Sequence, residues 1–169
     1  MKKILLTLIF MVAAITVTHA QVWIGGSVNG FFNKETKTFA IAPDVGYAIP
    51  NTPFSVACAL EYQGSFTNGE AYSHSLTVSP YFRYDICDIG ERFGMFVDLC
   101  SDIEVLDFHF FDVGLSPGIS FNLTDHWSAE FSYGFLGYQR EVGDDNAVEH
   151  NFVLDFKTAT AEFGIYYNF

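Results

Sequence analysis

Cysteine, basic residues and long apolar runs are all scarce in this sequence. Its three cysteines, Cys58, Cys87 and Cys100, are odd in number and match no metal-binding spacing, so a disulfide is allowed but not required. Eight Lys and Arg against twenty Asp and Glu give a net charge of −12, which disfavours nucleic acid as a partner. After residue 20 no apolar stretch is long enough to cross a bilayer as a helix, so any crossing must be made with strands.

The main apolar run lies at the N-terminus. Lys2 and Lys3 precede an apolar segment over residues 4–17, and the small residues Thr18 and Ala20 follow. This pattern predicts a secretory signal peptide over residues 1–20, because the apolar segment is shorter than the roughly 20 residues of a spanning helix. Cleavage before Gln21, which is not a cysteine, indicates no lipid anchor. Residues 21–169 then form one domain, whose net charge without the two lysines is −14.

The C-terminal segment, residues 157–169, alternates apolar and polar side chains. Phe163, Ile165, Tyr167 and Phe169 fall on one face, and Glu162 falls on the other. A period of two is that of a β-strand. An outer apolar face and an inner face with a carboxylate are typical of a closed barrel with lipid outside and water inside. Aromatic residues, 18% of the chain, would then form bands at the two membrane interfaces.

Prolines recur at a constant interval. Pro43, Pro80 and Pro117 are each 37 residues apart, and each shares an apolar face with the second and fourth residues that follow it. An interval of this size holds two strands of about 10 residues with their connections. Four intervals account for the 149 residues after the predicted signal peptide, so we predict eight strands. Because proline has no N–H for the ladder, we expect a bulge or an unpaired acceptor at each proline.

The strands are predicted at residues 22–32, 39–49, 54–63, 73–86, 93–102, 108–123, 127–138 and 151–169. Short turns at residues 49–53, 88–92 and 124–126 alternate with longer polar links at residues 33–38, 67–72, 103–107 and 139–150. In membrane barrels the short turns face the periplasm and the longer loops face outward. Both ends of residues 21–169 are therefore expected on the periplasmic side.

Several segments resemble the small eight-stranded outer-membrane barrels of Gram-negative bacteria, the group that includes the OmpA and OmpX membrane domains. They are WIGG at 23–26, LSPG at 115–118, LTDHWS at 123–128 and YYNF at 166–169. The resemblance implies an all-β, up-and-down antiparallel barrel in the outer membrane. It also implies that Tyr167 and Phe169 form the signal read by the barrel-assembly machinery. No peptidoglycan-binding domain follows Phe169, so no cell-wall link is expected.

The strand phase sorts the candidate residues into an outer and an inner set. Interfacial aromatic residues are expected at Tyr47, Tyr84, Phe121 and Trp127. Inward-facing charges are expected at Asp44, Glu61, Arg83, Asp98, Asp112, Glu130 and Glu162. Because side chains can fill an eight-stranded barrel, we predict an ion-paired plug in which Arg83 pairs first with Glu130 and next with Asp98 or Glu162. The alternative is a narrow pore that prefers cations, since the interior is mostly acidic.

One arrangement resembles catalytic chemistry. His126, Ser128 and Glu130 share a strand face, as in an outer-membrane lipid A deacylase with a His-x-Ser arrangement. That enzyme works at the outer leaflet, whereas His126 is expected at the periplasmic end, and a Ser–His pair also needs an oriented acid and an oxyanion site. We therefore predict no enzyme. The acidic link at 139–150 lacks the spacing of a calcium loop and is interpreted as a solvated surface loop. No metal or cofactor is expected.

The function predicted is that of a non-enzymatic surface barrel that contributes to envelope integrity or to surface interaction. A narrow pore or carrier for small cationic or hydrophobic solutes is the second hypothesis, and an outer-membrane lipid hydrolase is the third. The expected partners are outer-membrane lipid, lipopolysaccharide and the barrel-assembly machinery. A monomer is expected.

Overall fold

The fold is a closed antiparallel barrel made from one meandering sheet. The computed structural model describes residues 21–32, 36–67, 73–105, 110–142, 148–156 and 161–169, so the predicted signal peptide lies outside the described residues. The described strands are β1 (Val22–Phe32), β2 (Thr36–Ala48), β3 (Phe54–Thr67), β4 (Ser73–Ile89), β5 (Phe93–Cys100), β6 (Ile103–Glu104), β7 (Phe110–Asn122), β8 (Trp127–Tyr133), β9 (Phe135–Val142), β10 (Val148–Asp155) and β11 (Ala161–Asn168). No helix in this part of the chain is long and apolar enough to cross a membrane.

Each wall strand pairs with its neighbours in the chain, and the last returns to the first. Three barrel strands are interrupted, and each consists of two described strands: β5 with β6, β8 with β9 and β10 with β11. The described strands therefore make eight barrel strands. β11 pairs with β1 from Trp23 opposite Asn168 to Val28 opposite Phe163, which closes the barrel. The predicted eight-stranded antiparallel barrel is therefore confirmed. Hairpins extend beyond the predicted ends, as where Thr36 pairs with Thr67, because backbone pairing continues after the apolar pattern stops.

The ladder is interrupted on one side at each repeated proline. Pairing of β2 with β3 skips residues 42 and 43, and pairing of β4 with the β5–β6 strand skips residues 79 and 80. Beside residues 116 and 117, the partner of β7 changes from β8 to β9. This last break holds Gly134 at φ +93°, a conformation that costs glycine little. The irregularity expected at the three prolines is present at each of them.

The side chains are sorted in the opposite way to those of a water-soluble protein. Apolar residues cover the outer wall and are 37–55% exposed there, among them Ile24, Val28, Ile41, Val56, Leu60, Leu99, Leu115, Ile119, Phe131 and Ile165. The buried polar and charged residues are Asp44, Ser55, Arg83, Asp98, Asp112 and Ser128. Water solvates such an outer wall poorly, whereas lipid solvates it well. This is the surface of a transmembrane barrel.

Aromatic rings form a band at the short-turn end of the barrel. Ring centroids lie 5.3 Å apart for Phe54 and Tyr84, 4.7 Å for Phe93 and Phe121, and 5.1 Å for Trp127 and Tyr167. Tyr84 and Trp127 are exposed on this band, while Tyr47 and Phe121 are half-buried. Both ends of the described chain lie here, since the Ala48 amide donates to Gln21 O and the Phe169 amide to Val22 O. A second group of rings, including Phe39 with Phe66 and Phe131 with Tyr133, lies nearer the longer links.

Candidate functional site

The candidate functional site is the barrel interior, which has two parts. Nearer the short turns is a plug, which we define as Arg83, Phe96, Asp98 and Glu130. Nearer the longer links is a space whose lining includes several carboxylates among neutral polar and small residues. The strand period of two directs alternate residues of every wall strand into this interior, so each part collects side chains from several strands.

Arg83 lies at the centre of the plug. Its Nε donates to Asp98 Oδ1 at 2.8 Å and its Nη2 donates to Asp98 Oδ2 at 2.9 Å. Its Nη1 donates to both oxygens of Glu130, at 2.9 and 2.8 Å. Asp98 is the cross-strand partner of Arg83, whereas Glu130 reaches the guanidinium from β8. Arg83 thus binds carboxylates from two different strands, β5 and β8, across the lumen.

The side chains of the plug are largely buried. The Arg83 side chain is 9% exposed, and those of Asp98 and Glu130 are 12% and 13% exposed. The guanidinium carbon lies 3.7 Å from the centroid of the Phe96 ring, which is cation–π contact distance. In such a setting each charge depends on its partners, because removing one leaves the others buried without compensation.

Large rings fill the rest of the plug region, and each lies over a glycine on the neighbouring strand. The pairs are Trp23 with Gly46, Tyr166 with Gly25, and Phe96 with Gly118. A Cβ on the glycine would lie 2.0, 2.5 and 2.2 Å from the respective ring. Sequence reasoning placed Tyr166 on the inner face of the C-terminal strand but did not identify Trp23 and Phe96 as inward rings. An inward glycine opposite an inward aromatic residue could have indicated these pairs. Which residues lie opposite each other depends on the strand register, which the sequence does not show.

Asp44 lies next to the plug with one of its oxygens satisfied. Its Oδ2 accepts a hydrogen bond from the Tyr81 hydroxyl at 2.5 Å. Its Oδ1, by contrast, is buried and has no hydrogen-bond partner among the described residues. The residue as a whole is 9% exposed. A buried carboxylate oxygen without a donor is costly, so Asp44 is an exception in an otherwise well-bonded interior.

The acidic space consists of two adjoining cavities, which we call the acidic vestibule. The cavity beside the plug has a volume of about 110 Å³ and the one nearer the longer links about 400 Å³. Glu61, Asp102 and Glu162 line both cavities. Ser27 Oγ donates to Glu162 at 3.4 Å, and the Asp102 amide donates to Asp112 Oδ1 at 2.9 Å. The structure thus places the predicted inward carboxylates Asp44, Glu61, Asp112 and Glu162 around this vestibule, and the four plug residues also line its smaller cavity.

The hydrolase-like residues are used in other contacts. The His126 ring Nδ1 lies 3.0 Å from Asn168 O, and the ring stacks on Tyr167 at 5.7 Å. Ser128 Oγ accepts from Asn168 Nδ2 at 3.4 Å, and Glu130 is bonded to Arg83. Among the described residues, these three side chains therefore form no nucleophile–base–acid relay.

Residues that could bind a metal were sought in the part of the chain that the structure describes. In the described ranges no group of three or more His, Cys, Asp or Glu residues is arranged to hold a metal ion. Cys58 and Cys87 are exposed free thiols, and Cys100 is a free thiol beside the vestibule. Residues 143–147 of the predicted acidic loop lie outside the described residues.

Similarity to known proteins was found among solved structures. No family model matches the chain, and no curated protein matches it. A solved chain described as "De novo design of transmembrane beta-barrels" matches 90% of this chain and 98% of its own length, with 12% sequence identity and a TM-score of 0.47.

Proposed function

We propose that the protein is a non-enzymatic outer-membrane barrel of the OmpA/OmpX type that contributes to envelope integrity and presents its longer links at the cell surface. The observation that supports this most directly is the plug. Arg83 joins Asp98 and Glu130 across the lumen, and the rings of Trp23, Phe96 and Tyr166 pack around that end. A barrel whose interior is filled by bonded side chains serves as an anchor or wall element and not as a channel.

The proposed orientation has the short turns and both ends of residues 21–169 in the periplasm. It is supported by the shared position of the turns and of Phe169, whose ring packs on Tyr167 at 5.1 Å beside Trp127. In this orientation the terminal strand β11 carries the aromatic assembly signal that the resemblance implies. Lipopolysaccharide would then surround the end of the barrel nearer the longer links.

The second candidate is a narrow cation pore, which the acidic vestibule favours. Conductance in planar bilayers separates the two functions. Purified protein is expected to give no steady channel conductance, while a control variant that removes the plug, Arg83→Ser with Phe96→Ala, is expected to conduct. Steady cation-selective conductance by the unaltered protein contradicts the proposal and favours the pore.

A deletion strain gives an independent test, because the two functions move permeability in opposite directions. Loss of a wall element should raise the entry of a bulky hydrophobic dye, and the plasmid-borne gene should restore the barrier. Loss of a pore should instead lower the uptake of small cations and leave dye entry unchanged.

A further inference from the structure

The outward face of the β9–β10 hairpin carries two basic residues close to the longer link that joins these strands. Arg140 on β9 is directly opposite His150 on β10. The strand alternation places both on the same side as Leu154, whose side chain is exposed on the outer wall. The neighbouring carboxylates Glu141 and Glu149 are opposite each other on the inner side. The outward side of the hairpin therefore presents basic groups, although the chain as a whole is acidic.

Tyr138 holds the His150 ring in place. Its hydroxyl is hydrogen-bonded to His150 Nδ1, and the two ring centroids are 5.9 Å apart. With the hydroxyl as donor, the proton of the neutral imidazole lies on Nε2, at the other side of the ring. Directly opposite residues of an antiparallel pair have Cβ atoms about 4.5–5.5 Å apart, so Nε2 and the Arg140 guanidinium can donate to one anion. A phosphate group fits these donors, because a guanidinium binds phosphate oxygens through two parallel hydrogen bonds.

Large apolar side chains lie beside this basic pair on the same face. Phe152 is 79% exposed, the highest value among the large apolar residues of the described chain, and Leu154 is 62% exposed. Phe152 is opposite Tyr138 in the ladder, so it adjoins the His150 ring. A free inorganic anion would leave this apolar surface uncovered, whereas a lipid with a phosphate head and acyl chains would cover it. The combination of donors and apolar side chains therefore favours a phosphorylated lipid.

Two more basic residues occupy the corresponding position on other strands. Lys37 is the second residue of β2 and His74 is the second residue of β4, so both lie where the wall meets the longer links. Lys37 shares the outward face with Phe39, and His74 stacks on Tyr62 with ring centroids 6.5 Å apart. In a membrane, basic side chains just beyond an aromatic band lie at the level of anionic head groups. The outer wall thus carries basic groups at this end on several strands, as it does on the β9–β10 hairpin.

We propose that Arg140 and His150 bind a phosphate group of an acylated lipid of the outer leaflet, whose chains pack on Phe152 and Leu154. The basic residues of β2 and β4 face the phosphates of neighbouring lipid molecules. The inference rests on the proposed outer-membrane location and orientation, under which this lipid is lipopolysaccharide and the site attaches it to the barrel wall.

The test is a titration of diphosphorylated lipid A into the protein in a non-ionic detergent, with the bound lipid counted by native mass spectrometry. One most tightly bound lipid per protein is expected. Arg140→Gln and His150→Gln should each raise its Kd by roughly tenfold, because each removes a charge-assisted hydrogen bond to the phosphate. Arg92→Gln removes a basic side chain from the exposed turn at the opposite end of the barrel and should leave the Kd unchanged.

Lipid A without its phosphates identifies the group that is recognised. It should bind the unaltered protein more weakly, and Arg140→Gln should not weaken it further, whereas Phe152→Ala should weaken both lipids by the same factor. An Arg140→Gln effect that persists with the phosphate-free lipid overturns the proposal, as does an equal rise in Kd for Arg92→Gln. Displacement of lipid A by an equimolar amount of inorganic phosphate would assign the site to the free anion and would also overturn the proposal.

Folding of each variant is checked by the migration of unboiled protein in a detergent gel, and His150→Gln decides the outcome if Arg140→Gln does not fold. Because binding is measured on the purified protein, its failure is distinct from a failure of the wall function. A deletion strain that admits the dye while the purified protein binds no lipid A contradicts this inference alone. Lipid A binding as expected, with an unchanged barrier in the deletion strain, contradicts the wall function alone.

Discussion

At the scale of single residues, the interior is organised by the scarcity of positive charge. Arg83 uses its planar guanidinium to bind Asp98 with two parallel hydrogen bonds and Glu130 with two more. Lysine could not do this, because its ammonium is a point charge without a fork of donors. The side chain also stacks on Phe96, so that charge pairing and packing depend on the same residue. Two carboxylates are thereby neutralised, and the vestibule carboxylates are left outside the plug.

Arg83→Met is expected to lower the free energy of unfolding by about 3 to 5 kcal/mol, because Asp98 and Glu130 would remain buried without their partner. Glu130→Gln in the same chain should recover part of that loss by removing one uncompensated charge. The measurement is the denaturant midpoint of the refolded barrel in detergent. Arg92→Met serves as the control, since Arg92 lies in an exposed turn and its loss should change the free energy by at most about 0.5 kcal/mol. An equal effect of the two arginine substitutions would mean that the plug is screened by water.

At the scale of the strands, paired glycine and aromatic residues determine how the interior is filled. Phe96 on β5 lies opposite Gly118 on β7, and its ring occupies the place where a Cβ of residue 118 would be. On its other side the ring contacts the Arg83 guanidinium. The ring is held between two strands and cannot move aside without breaking the plug.

Gly118→Ala is therefore expected to destabilise the barrel by about 1 to 3 kcal/mol, the usual cost of overpacking a filled interior. Phe96→Leu should destabilise the barrel on its own, since it removes the ring contact with Arg83. In the double variant, however, the smaller Leu side chain leaves room for the added methyl group. The sum of the two single effects should thus exceed the effect of the double variant, which denaturant midpoints of the four proteins will show. Strictly additive effects would contradict the close approach of the ring to Gly118.

At the scale of the whole molecule, closure of the sheet joins the first strand to the last. β1 pairs with β11 over six residue pairs, and β11 continues into pairing with β8. Closure removes the free edge from which a sheet could unravel or aggregate, and it satisfies the backbone groups that lipid cannot solvate. The apolar wall and the charged interior then follow from the single alternation of each strand.

The folded protein is expected to be heat-modifiable. Unboiled samples in dodecyl sulfate should migrate differently from boiled samples, because a closed barrel resists unfolding by the detergent until it is heated. Far-ultraviolet circular dichroism of the unboiled sample should show β-structure. Identical migration before and after boiling, or a helical spectrum, would refute the closed barrel.

The sequence by itself determined the class and the strand count. Alternation with a period of two requires only local backbone geometry, and the interval of 37 between Pro43, Pro80 and Pro117 counts the strands without any contact being known. The same alternation predicted that the side chains of Arg83 and of the acidic residues point into the lumen. The composition also favoured lipid as the surroundings of the barrel, because it provides more apolar than polar surface.

The tertiary structure alone decided register, and with it the partners inside the lumen. Asp98 meets Arg83 because the two residues are paired across β4 and β5, and the bulge between Asp85 and Cys87 lies beyond them. The break at Gly134 shifts the alternation by one residue, so that Phe135 and not Leu136 lines the vestibule. A bulge resets which face a side chain points to. The prolines indicated where the ladder is interrupted, but the resulting shift of the alternation and the register are not encoded in a local pattern. The positions of the plug and of the acidic vestibule therefore depend on the strand pairing of the closed barrel.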